Sequence, residues 1–485
     1  MQYIQNQWVA GEGDRFTSIN PATNITIWQG ADASRNQIDQ AMAAAHKALP
    51  QWSGLTFEER VTILGNFKKL LQDNQNHLAK CISEEVGKPL WESATEVAAM
   101  IGKYDISVKA FLDRCKPLEN EVRGAKSITR FKPHGVVAVL GPFNFPGHLA
   151  NGHILPALLA GNTVIFKPSE LAPMVAEETV KLWEQAGLPR GVLQLLQGGR
   201  KVGEALAKHP SLDGLFFTGS SKVGLILNEL FAKHPKKILA LEMGGNNPLI
   251  VHEIKDLRAA VYTTIQSAYL SAGQRCTCAR RLIVPQGENG DAFIKMLKSA
   301  VQKIKVGAYT DSPEPFMGPV INAESANVVL KVQAKLDSMG AHILVAAQSL
   351  KPETGLISPG LIDVTHVPKR EDKECFGPLL QIIRVKDFAA ALTEANNTDY
   401  GLAAGLLSDD ADLYQKFRQT VKAGIINWNQ QLTGAASSAP FGGVGMSGNH
   451  RASAYFAADY CAYPVASLEV PVLQMPESLV PGVVV

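Results

Sequence analysis

Two short segments carry residue types that could perform thioester chemistry together. Leu241–Pro248 holds Glu242 ahead of a glycine pair, and Gly273–Cys278 holds Cys276 in a loop that opens with glycine. A thiol can attack a carbonyl carbon, and a carboxylate can activate the water that later releases the acyl product. The pattern predicts Cys276 as nucleophile and Glu242 as general base. Taken alone, Cys276 matches the buried structural cysteine that most free cysteines are, and Glu242 is equally compatible with a solvated or capping role. Cys278 is a weaker nucleophile candidate on the same loop.

Two neighbours of this pair would assist it. Asn144 lies in Pro142–Pro146, directly after an apolar run, where its amide could donate to a developing oxyanion. Without the other motifs, Asn144 would be read as a turn residue. Arg275 precedes Cys276, and an adjacent cation lowers the pKa of a thiol. We therefore expect partial burial to raise the pKa of Glu242, and a nearby cation to lower that of Cys276.

Two further segments could hold a dinucleotide. Phe217–Gly224 follows a strand pattern and opens a helix, so Gly219 would let a phosphate approach the helix N-terminus. Lys167 and Glu170 also follow a strand and could bind ribose hydroxyls; a carboxylate there disfavours a 2′-phosphate and favours NAD over NADP. The alternatives are a simple strand–helix turn and a solvated pair. Gly443–Gly448 matches the dinucleotide fingerprint but lacks a preceding strand, so we dismiss it.

The elements that must position these residues alternate along the chain. Thr56–Glu59 is a capping-box pattern before a helix, and short apolar runs at 136–140, 163–166, 192–196, 214–217, 238–241 and 249–251 alternate with helical stretches. A second alternation begins near Asp256, with strands expected at 282–284, 342–345, 379–385 and 424–427. The fold class is α/β, with two domains built on parallel sheets.

Composition excludes several functions. A chain of 485 residues with 46% hydrophobic and 19% charged residues and a net charge of +2 indicates a multidomain globular protein with little affinity for nucleic acid or membranes. Six scattered cysteines, without a signal-peptide pattern, are typical of a reduced cytoplasmic protein. No His/Cys pair at zinc spacing matches Cys276 and Cys278, so we expect no metal.

Two segments fit neither domain. Lys116–Lys132 is charged and lacks a core stripe, and Ala462–Val485 is apolar and punctuated by proline. An exposed apolar tail favours packing on a partner subunit, although docking onto its own chain is the simpler alternative.

Taken in order, the motifs resemble the NAD(P)-dependent aldehyde dehydrogenase superfamily over nearly the whole chain. They are Pro142–Pro146, Lys167–Glu170, Phe217–Ser220, Glu242–Gly245, Gly273–Cys276, Glu374–Pro378 and Pro440–Gly443. The resemblance implies catalytic roles for Cys276, Glu242 and Asn144, and a homodimer or homotetramer. It implies an NAD site formed by Phe143, Lys167, Glu170, Gly199, Gly219, Ser220, Ser221, Lys222, Val223, Gly224, Glu374 and Phe376. It also implies an NAD-binding domain (1–115 and 134–244), a catalytic domain (245–445) and an oligomerisation segment (116–133 and 462–485).

A narrower resemblance comes from Gly445–Arg451 and Ser453–Pro464, which are unlike the general family. These stretches resemble a subgroup that oxidises a carboxylated semialdehyde in arginine catabolism. His148 and His153 would suit a polar substrate tunnel, or else lie on a helix surface, and His450 and Arg451 are candidate carboxylate ligands. Three alternatives stay open: another carboxylated semialdehyde, an acylating enzyme that uses coenzyme A, and a non-catalytic protein.

Overall fold

Within the described residues of this computed structural model, the strands form two large sheets and four small ones. The structure describes residues 1–122, 124–476 and 478–485. The strands run β1 Gln2–Ile4, β2 Gln7–Val9, β3 Arg15–Ile19, β4 Thr26–Ala31, β5 Leu118–Val122, β6 Ala125–Pro133, β7 Val136–Leu140, β8 Thr163–Lys167, β9 Leu193–Leu195, β10 Gly214–Gly219, β11 Ile238–Met243, β12 Asn247–Val251, β13 Ala279–Pro285, β14 His342–Val345, β15 Gly360–Asp363, β16 Leu379–Val385, β17 Tyr400–Gly401, β18 Ala403–Leu407, β19 Ile425–Trp428, β20 Pro440–Phe441, β21 Val444–Gly445, β22 Ser453–Ala454 and β23 Ala462–Glu469.

The helices alternate with these strands. They run α1 Arg35–Gly54, α2 Phe57–Asp73, α3 Gln75–Val86, α4 Leu90–Arg114, α5 His148–Leu159, α6 Pro173–Gln185, α7 Arg200–Ala207, α8 Ser221–Phe231, α9 Leu257–Tyr269, α10 Glu288–Val301, α11 Ala323–Ser338, α12 Phe388–Ala395, α13 Ala411–Thr420 and α14 Ala457–Cys461. The predicted capping box is present: the Thr56 hydroxyl accepts from Glu59 N–H and the Glu59 carboxylate accepts from Thr56 N–H. Within the described ranges, no helix is both long and apolar enough to cross a membrane.

The first large sheet has the order β11-β10-β7-β8-β9-β1-β2. Strands β7 to β11 are parallel, and β1 and β2 extend the sheet in antiparallel fashion. All of β7 is buried because successive side chains enter different cores. Val137 and Val139 pack in the core that includes residues of α2, α5 and α6, whereas Val136 and Ala138 pack in the one that includes residues of α1, α7 and α8.

The second large sheet has the order β14-β15-β16-β13-β12-β18-β19 and is parallel except for β14. The apolar run at 249–251, which the sequence pattern grouped with the first set of strands, belongs here as β12. Its backbone pairs with β13 and β18, and sequence alternation carries no signal for the sheet in which a buried strand lies. The two sheets together confirm the predicted α/β class.

The segment dismissed as a dinucleotide fingerprint has a structural role. Met243 N–H donates to Ser447 O at 3.0 Å, and Asn449 N–H donates to Leu241 O at 3.0 Å, so the segment pairs with β11 on both sides of Glu242. The Ser447 hydroxyl donates to Gly244 O at 2.8 Å and accepts from Gly401 N–H. This segment therefore fixes the end of β11 and the start of the connection into the second sheet.

The small sheet β23-β6-β5 is built from strands that lie in the two segments that fitted neither domain. Strand β23 pairs with β6 of its own chain from Ala462 to Glu469. The first part of the tail thus docks onto its own chain, which was the alternative to packing on a partner subunit. Beyond Glu469 the described residues are exposed, and Leu473 is 96% exposed.

Candidate active site

Most of the predicted site residues lie at one edge of the first sheet. Parallel strands end at the same edge, so the residues that follow β7, β8, β9 and β10 converge there with the end of β11. These residues are Phe143, Asn144, Lys167, Glu170, Gly199, Gly219, Ser220 and Glu242. The amino end of β13, which the Cys276 loop precedes, belongs to the second sheet. The site therefore lies where the two sheets meet.

The nucleophile loop has an unusual backbone. Ser271, Ala272 and Gly273 have φ of +52°, +53° and +69°, a left-handed run that costs free energy at the two residues with a Cβ. Glu92 stabilises this run from α4. Its buried carboxylate accepts from the backbone N–H and the hydroxyl of Ser271, and from Arg275 Nη2 at 2.6 Å. Glu92 thus supports the turn that presents Cys276.

Gly273 joins this loop to the loop at 374–378. A Cβ at Gly273 would overlap the carbonyl group of Gly377, and its φ of +69° also favours glycine. Gly244 shows a similar relation, since a Cβ there would overlap the carboxylate of Glu374. Both glycines let the 374–378 loop approach, so Glu374 lies next to the end of β11.

Two asparagines hold the loop from either side. Asn144 Nδ2 donates to Gln274 O at 2.9 Å, and the side chain is buried. Because an amide nitrogen carries two hydrogens, one is left to donate elsewhere. Asn247 Nδ2 donates to the carbonyls of Cys276 at 2.7 Å and Cys278 at 2.9 Å. Asn247 was not singled out from the sequence, although it lies inside the Leu241–Pro248 motif.

The sequence predicted that Arg275 would lower the pKa of Cys276. The cation that acts on this thiol is a different one, and its effect on the pKa is smaller than that of burial. Burial raises the pKa of the Cys276 thiol well above its ordinary value, and the charges of Glu242 and Glu374 raise it further. The cation that lowers it is Arg280. Arg275 is instead held by Glu92 at 2.6 Å. Arg280, which the sequence analysis did not identify, ion-pairs with Glu374 at 3.1 Å and donates to Gly273 O.

Glu242 has the environment expected of a base. It is 1% exposed, and among the described residues neither carboxylate oxygen has a hydrogen-bond partner. Burial, and then the charge of Glu374, raise the pKa of Glu242 to about 8. A buried carboxyl group without internal partners is costly, and such groups concentrate at functional sites. Its charge acts on Cys276, so the two groups are near neighbours.

The candidate cofactor residues divide into two groups. Lys167 Nζ donates to the carbonyls of Pro168 and Gly198 at 2.7 Å and lies 3.6 Å from the half-exposed carboxylate of Glu170. A Cβ at Gly199 would meet nothing within 4 Å, so space is open beside Lys167. The rings of Phe143 and Phe376 meet edge to face at 5.9 Å.

The second group begins helix α8. The Ser220 hydroxyl accepts from Val223 N–H, and the Ser221 hydroxyl hydrogen-bonds to Tyr400 at 2.9 Å. Lys222 and Val223 are exposed on the first turn. A Cβ at Gly224 would overlap the side chain of Met243, so this glycine lets α8 pack on β11. Packing is therefore sufficient to explain Gly224.

The four residues considered for the substrate have different surroundings. His153 is buried and hydrogen-bonds to Tyr460 at 2.7 Å and Thr218 at 2.9 Å, and His148 is half-buried with an enclosed Nδ1. The surface-helix alternative is therefore wrong for both histidines. Arg451 donates to Gly443 O at 2.7 Å, and His450 is exposed.

A cavity of about 430 Å³ lies elsewhere in the second domain. Its lining includes Val251, His252, Pro285 and Gln286, which stand at the carboxyl ends of β12 and β13. Cys276 precedes the amino end of β13, and a strand of this length spans roughly 20 Å. The cavity is therefore separate from the site.

A half-buried thiol, a buried carboxyl group without a hydrogen-bond partner among the described residues and an amide donor lie where two α/β sheets meet, an arrangement typical of a thiol-dependent enzyme of carbonyl chemistry. Residues 8–464 match the model of the aldehyde dehydrogenase family. The chain belongs to this family, which confirms the predicted resemblance, and it is an aldehyde-oxidising enzyme.

Three relatives illustrate the similarity. The chain is 57% identical, over 99% of both chains, to the N-succinylglutamate 5-semialdehyde dehydrogenase of Pseudomonas fluorescens (strain Pf0-1). It matches the structure of an E. coli NADP-dependent enzyme with TM-score 0.91 and 30% identity, covering 96% of this chain and 97% of that one. It matches Staphylococcus aureus betaine aldehyde dehydrogenase in complex with NAD+ with TM-score 0.92 and 26% identity, covering 99% and 96%.

Proposed function

We propose that this enzyme oxidises N-succinyl-L-glutamate 5-semialdehyde to N-succinyl-L-glutamate with NAD, as a step of arginine catabolism. The substrate is supported by the 57% identity to the Pseudomonas fluorescens relative along 99% of both chains. The hydrolytic outcome is supported by one observation above all. Glu242 is buried beside Cys276, with a pKa of about 8 and with both oxygens free among the described residues.

The first half of the reaction makes a covalent bond to Cys276. The Cys276 thiol, which is partly exposed, first gives up its proton to water, and the thiolate is the nucleophile. The sulfur then bonds to the aldehyde carbon. The remaining Nδ2 hydrogen of Asn144 and the backbone N–H of Cys276 hold the oxyanion. NAD, when bound, would supply the acceptor for the hydride of this carbon, and loss of the hydride leaves a thioester on Cys276.

The second half hydrolyses the thioester. Glu242 in its ionised form takes a proton from water, and the resulting hydroxide adds to the thioester carbon. Asn144 again holds the oxyanion. Collapse of the tetrahedral adduct breaks the carbon–sulfur bond, so the carboxylic acid departs and the Cys276 thiol is restored.

The residues at the carboxyl edge of the first sheet fit NAD. The free space at Gly199, the Lys167 ammonium group and the N-terminus of α8 suit a ribose and a pyrophosphate. The carboxylate of Glu170 favours NAD over NADP, because it would repel a 2′-phosphate. Glu374 would meet the nicotinamide ribose, with Phe143 and Phe376 beside it. Lys222 and Val223 would border the pyrophosphate on the exposed turn.

The remaining assignments follow the same proposal. Residues 1–115 and 134–244 form the NAD-binding domain, 245–445 the catalytic domain, and 116–133 with 462–485 the oligomerisation segment. The exposed apolar residues beyond Glu469 support a homodimer or homotetramer. Six free cysteines support a reducing, cytoplasmic location.

A panel of semialdehydes tests the proposal. NAD reduction is measured with N-succinyl-L-glutamate 5-semialdehyde, with the same compound lacking the succinyl group, and with succinate semialdehyde, each with and without coenzyme A. The succinylated compound should have the highest kcat/KM, without any requirement for coenzyme A. Preference for another compound would refute the substrate, and a requirement for coenzyme A would refute the hydrolytic role of Glu242.

A further inference from the structure

Helix α4 carries a lysine that the reaction does not use. Lys103 is 1% exposed and has no hydrogen bond or ion pair among the described residues. Burial lowers its pKa to about 8, and no carboxylate opposes that shift. An ammonium group removed from water without a counter-ion is strongly disfavoured. The energetic cost of burying Lys103 without a counter-ion therefore indicates a functional role for it.

The other cations near Lys103 each form an ion pair with a carboxylate, whereas Lys103 forms none among the described residues. Lys88 pairs with Glu96 at 2.7 Å, and Arg275 pairs with Glu92 at 2.6 Å. Both of these cations and Lys103 act on the same side chain, His148, whose pKa their charges lower after burial. The group as a whole therefore has one unmatched positive charge, and it belongs to Lys103.

Neutral polar atoms around Lys103 are also unused. Ser107 lies one turn along the same face of α4, and its buried hydroxyl has no partner among the described residues. On the facing helix α5, both amide atoms of Asn151 and Nδ1 of His148 are likewise buried without a partner in the described structure. Lysine, serine and an amide NH₂ are all donors, and a carboxylate offers only acceptors. The three donors are complementary to a carboxylate, whereas the Asn151 oxygen, an acceptor, is not part of that match.

Gly152 leaves room above the lysine. A Cβ there would stand 3.9 Å from Lys103 Nζ and 3.7 Å from Ser453 Oγ. A methyl group there would be in ordinary van der Waals contact with both atoms, so a longer side chain would meet the ends of the Lys103 and Ser453 side chains. Glycine within a helix costs about 0.5–1 kcal/mol relative to alanine, so its presence in α5 is consistent with a need for space.

This site lies within reach of the reacting sulfur. Helix α5 begins at His148, four residues after Asn144, and Gly152 is one turn further, roughly 6 Å along the axis. His148 is also within the electrostatic range of Arg275, which precedes Cys276. A molecule with an aldehyde at one end and an anion at the other can span the two positions.

We propose that Lys103 binds a carboxylate of the aldehyde substrate, in a site between α4 and α5 that Ser107 and Asn151 complete and Gly152 keeps open. The inference rests on the proposed function for the identity of the anion, because N-succinyl-L-glutamate 5-semialdehyde carries two carboxylates. Lys103 is then a specificity residue that selects anionic over neutral aldehydes.

Lys103→Met tests the proposal, with Lys109→Met as its control. Methionine has a similar length and no charge, and Lys109 is an exposed lysine on the same helix. Lys103→Met should lower kcat/KM for the succinylated semialdehyde by about 10²-fold, mainly through KM, because a buried charge partner is lost. Oxidation of hexanal should stay near wild type, and Lys109→Met should change neither substrate. An equal loss for both aldehydes, or no loss for either, would overturn the proposal.

A binding measurement keeps the test independent of turnover. N-succinyl-L-glutamate should raise the melting temperature of the wild type and of Lys109→Met, and its neutral triamide should not. Lys103→Met should lose this shift, and a retained shift counts against the proposal. Should Lys103→Met fail to fold, Gly152→Val replaces it. Valine should block the succinylated substrate while hexanal is still oxidised, and unchanged use of both would overturn the site.

The outcomes separate this inference from the proposed function. If another carboxylated aldehyde is preferred and Lys103→Met removes that preference, the proposed substrate is wrong and the lysine site stands. If the succinylated compound is preferred and Lys103→Met leaves that preference intact, only the lysine site is wrong. If the wild type favours neutral aldehydes, both are overturned.

Discussion

The proposed reaction favours a neutral Glu242 at one stage and an ionised Glu242 at another. Burial and the charge of Glu374 raise its pKa to about 8, so near neutral pH both forms are populated. The neutral form leaves the Cys276 thiolate less disfavoured, because the charge of Glu242 is among the causes that raise the pKa of Cys276. The ionised form is the one that activates water. The two half-reactions therefore favour different protonation states of one side chain.

Glu242→Gln should become more stable than the wild type as pH rises. Below the ordinary pKa of 4.5 the carboxyl is neutral in the folded and unfolded chains alike. Between 4.5 and about 8 the unfolded chain is ionised while the folded one holds its proton, so only the wild type loses stability. The variant should gain ~1–4 kcal/mol over this window. Thermal unfolding of both proteins near pH 4.5 and near pH 8 measures this difference in stability. The same difference at both pH values would contradict the raised pKa of Glu242.

The same variant should stop after the thioester. Without a base to activate water, Glu242→Gln should accumulate an acylated Cys276, seen by intact-protein mass spectrometry as one added acyl group per chain. A burst of NADH near one per active site should precede a slow steady state. Cys276→Ala, the matched control, should give neither adduct nor NADH. NADH formation by that control at a rate near wild type refutes the nucleophile.

Asn144→Ala should be slow but active. Loss of one oxyanion donor typically costs about 10²–10³-fold in kcat. The same substitution removes the hydrogen bond to Gln274 O, so Asn144→Asp, which keeps the size but cannot donate, serves as the comparison. Steady-state rates of NADH formation measure both variants. A kcat within a few-fold of wild type for either would exclude the role.

At the scale of elements, the turn before Cys276 depends on contacts from distant segments. Gly273→Ala should destabilise the protein by ~2 kcal/mol or more, because its φ of +69° disfavours a Cβ and the new atom would overlap Gly377. Activity should fall further than stability, since the loop must shift. Gly102→Ala, in the middle of α4 with open space at the Cβ, should instead stabilise by about 0.5–1 kcal/mol. Chemical denaturation compares the two.

The sequence predicted individual strands and helices better than it predicted which strands pair and which distant side chains meet. The buried strands were found because apolar runs of this length alternate with helical stretches, and the Thr56–Glu59 capping box because it is a local pattern. The strand at 249–251 was grouped with the wrong sheet, since pairing is decided by tertiary contacts. Glu92 and Arg280 were missed for the same reason. Glu92 acts on Ser271 across 179 residues, and no spacing rule reaches that far.

At the scale of the whole molecule, the apolar tail is the feature that one chain does not explain. Deletion of residues 470–485 should reduce the molar mass measured by light scattering, because Leu473 and its apolar neighbours have no cover within the described chain. Strand β23 stays, so the fold should be retained. Leu473→Ser is the milder comparison. A full-length protein that is already monomeric contradicts the oligomer proposal, and an unchanged mass after deletion places its interface elsewhere.

The pairing of Ser447 and Asn449 with β11 has a consequence for biosynthesis. Residues on both sides of the general base, Leu241 and Met243, are held by backbone bonds from a segment made some 200 positions later. A nascent polypeptide that has already exposed its nucleophilic loop still has no fixed carboxylate with which to complete a turnover. Ribosome-bound or prematurely terminated chains would thus be catalytically silent, and reactive aldehydes would meet a working enzyme only once translation is nearly finished.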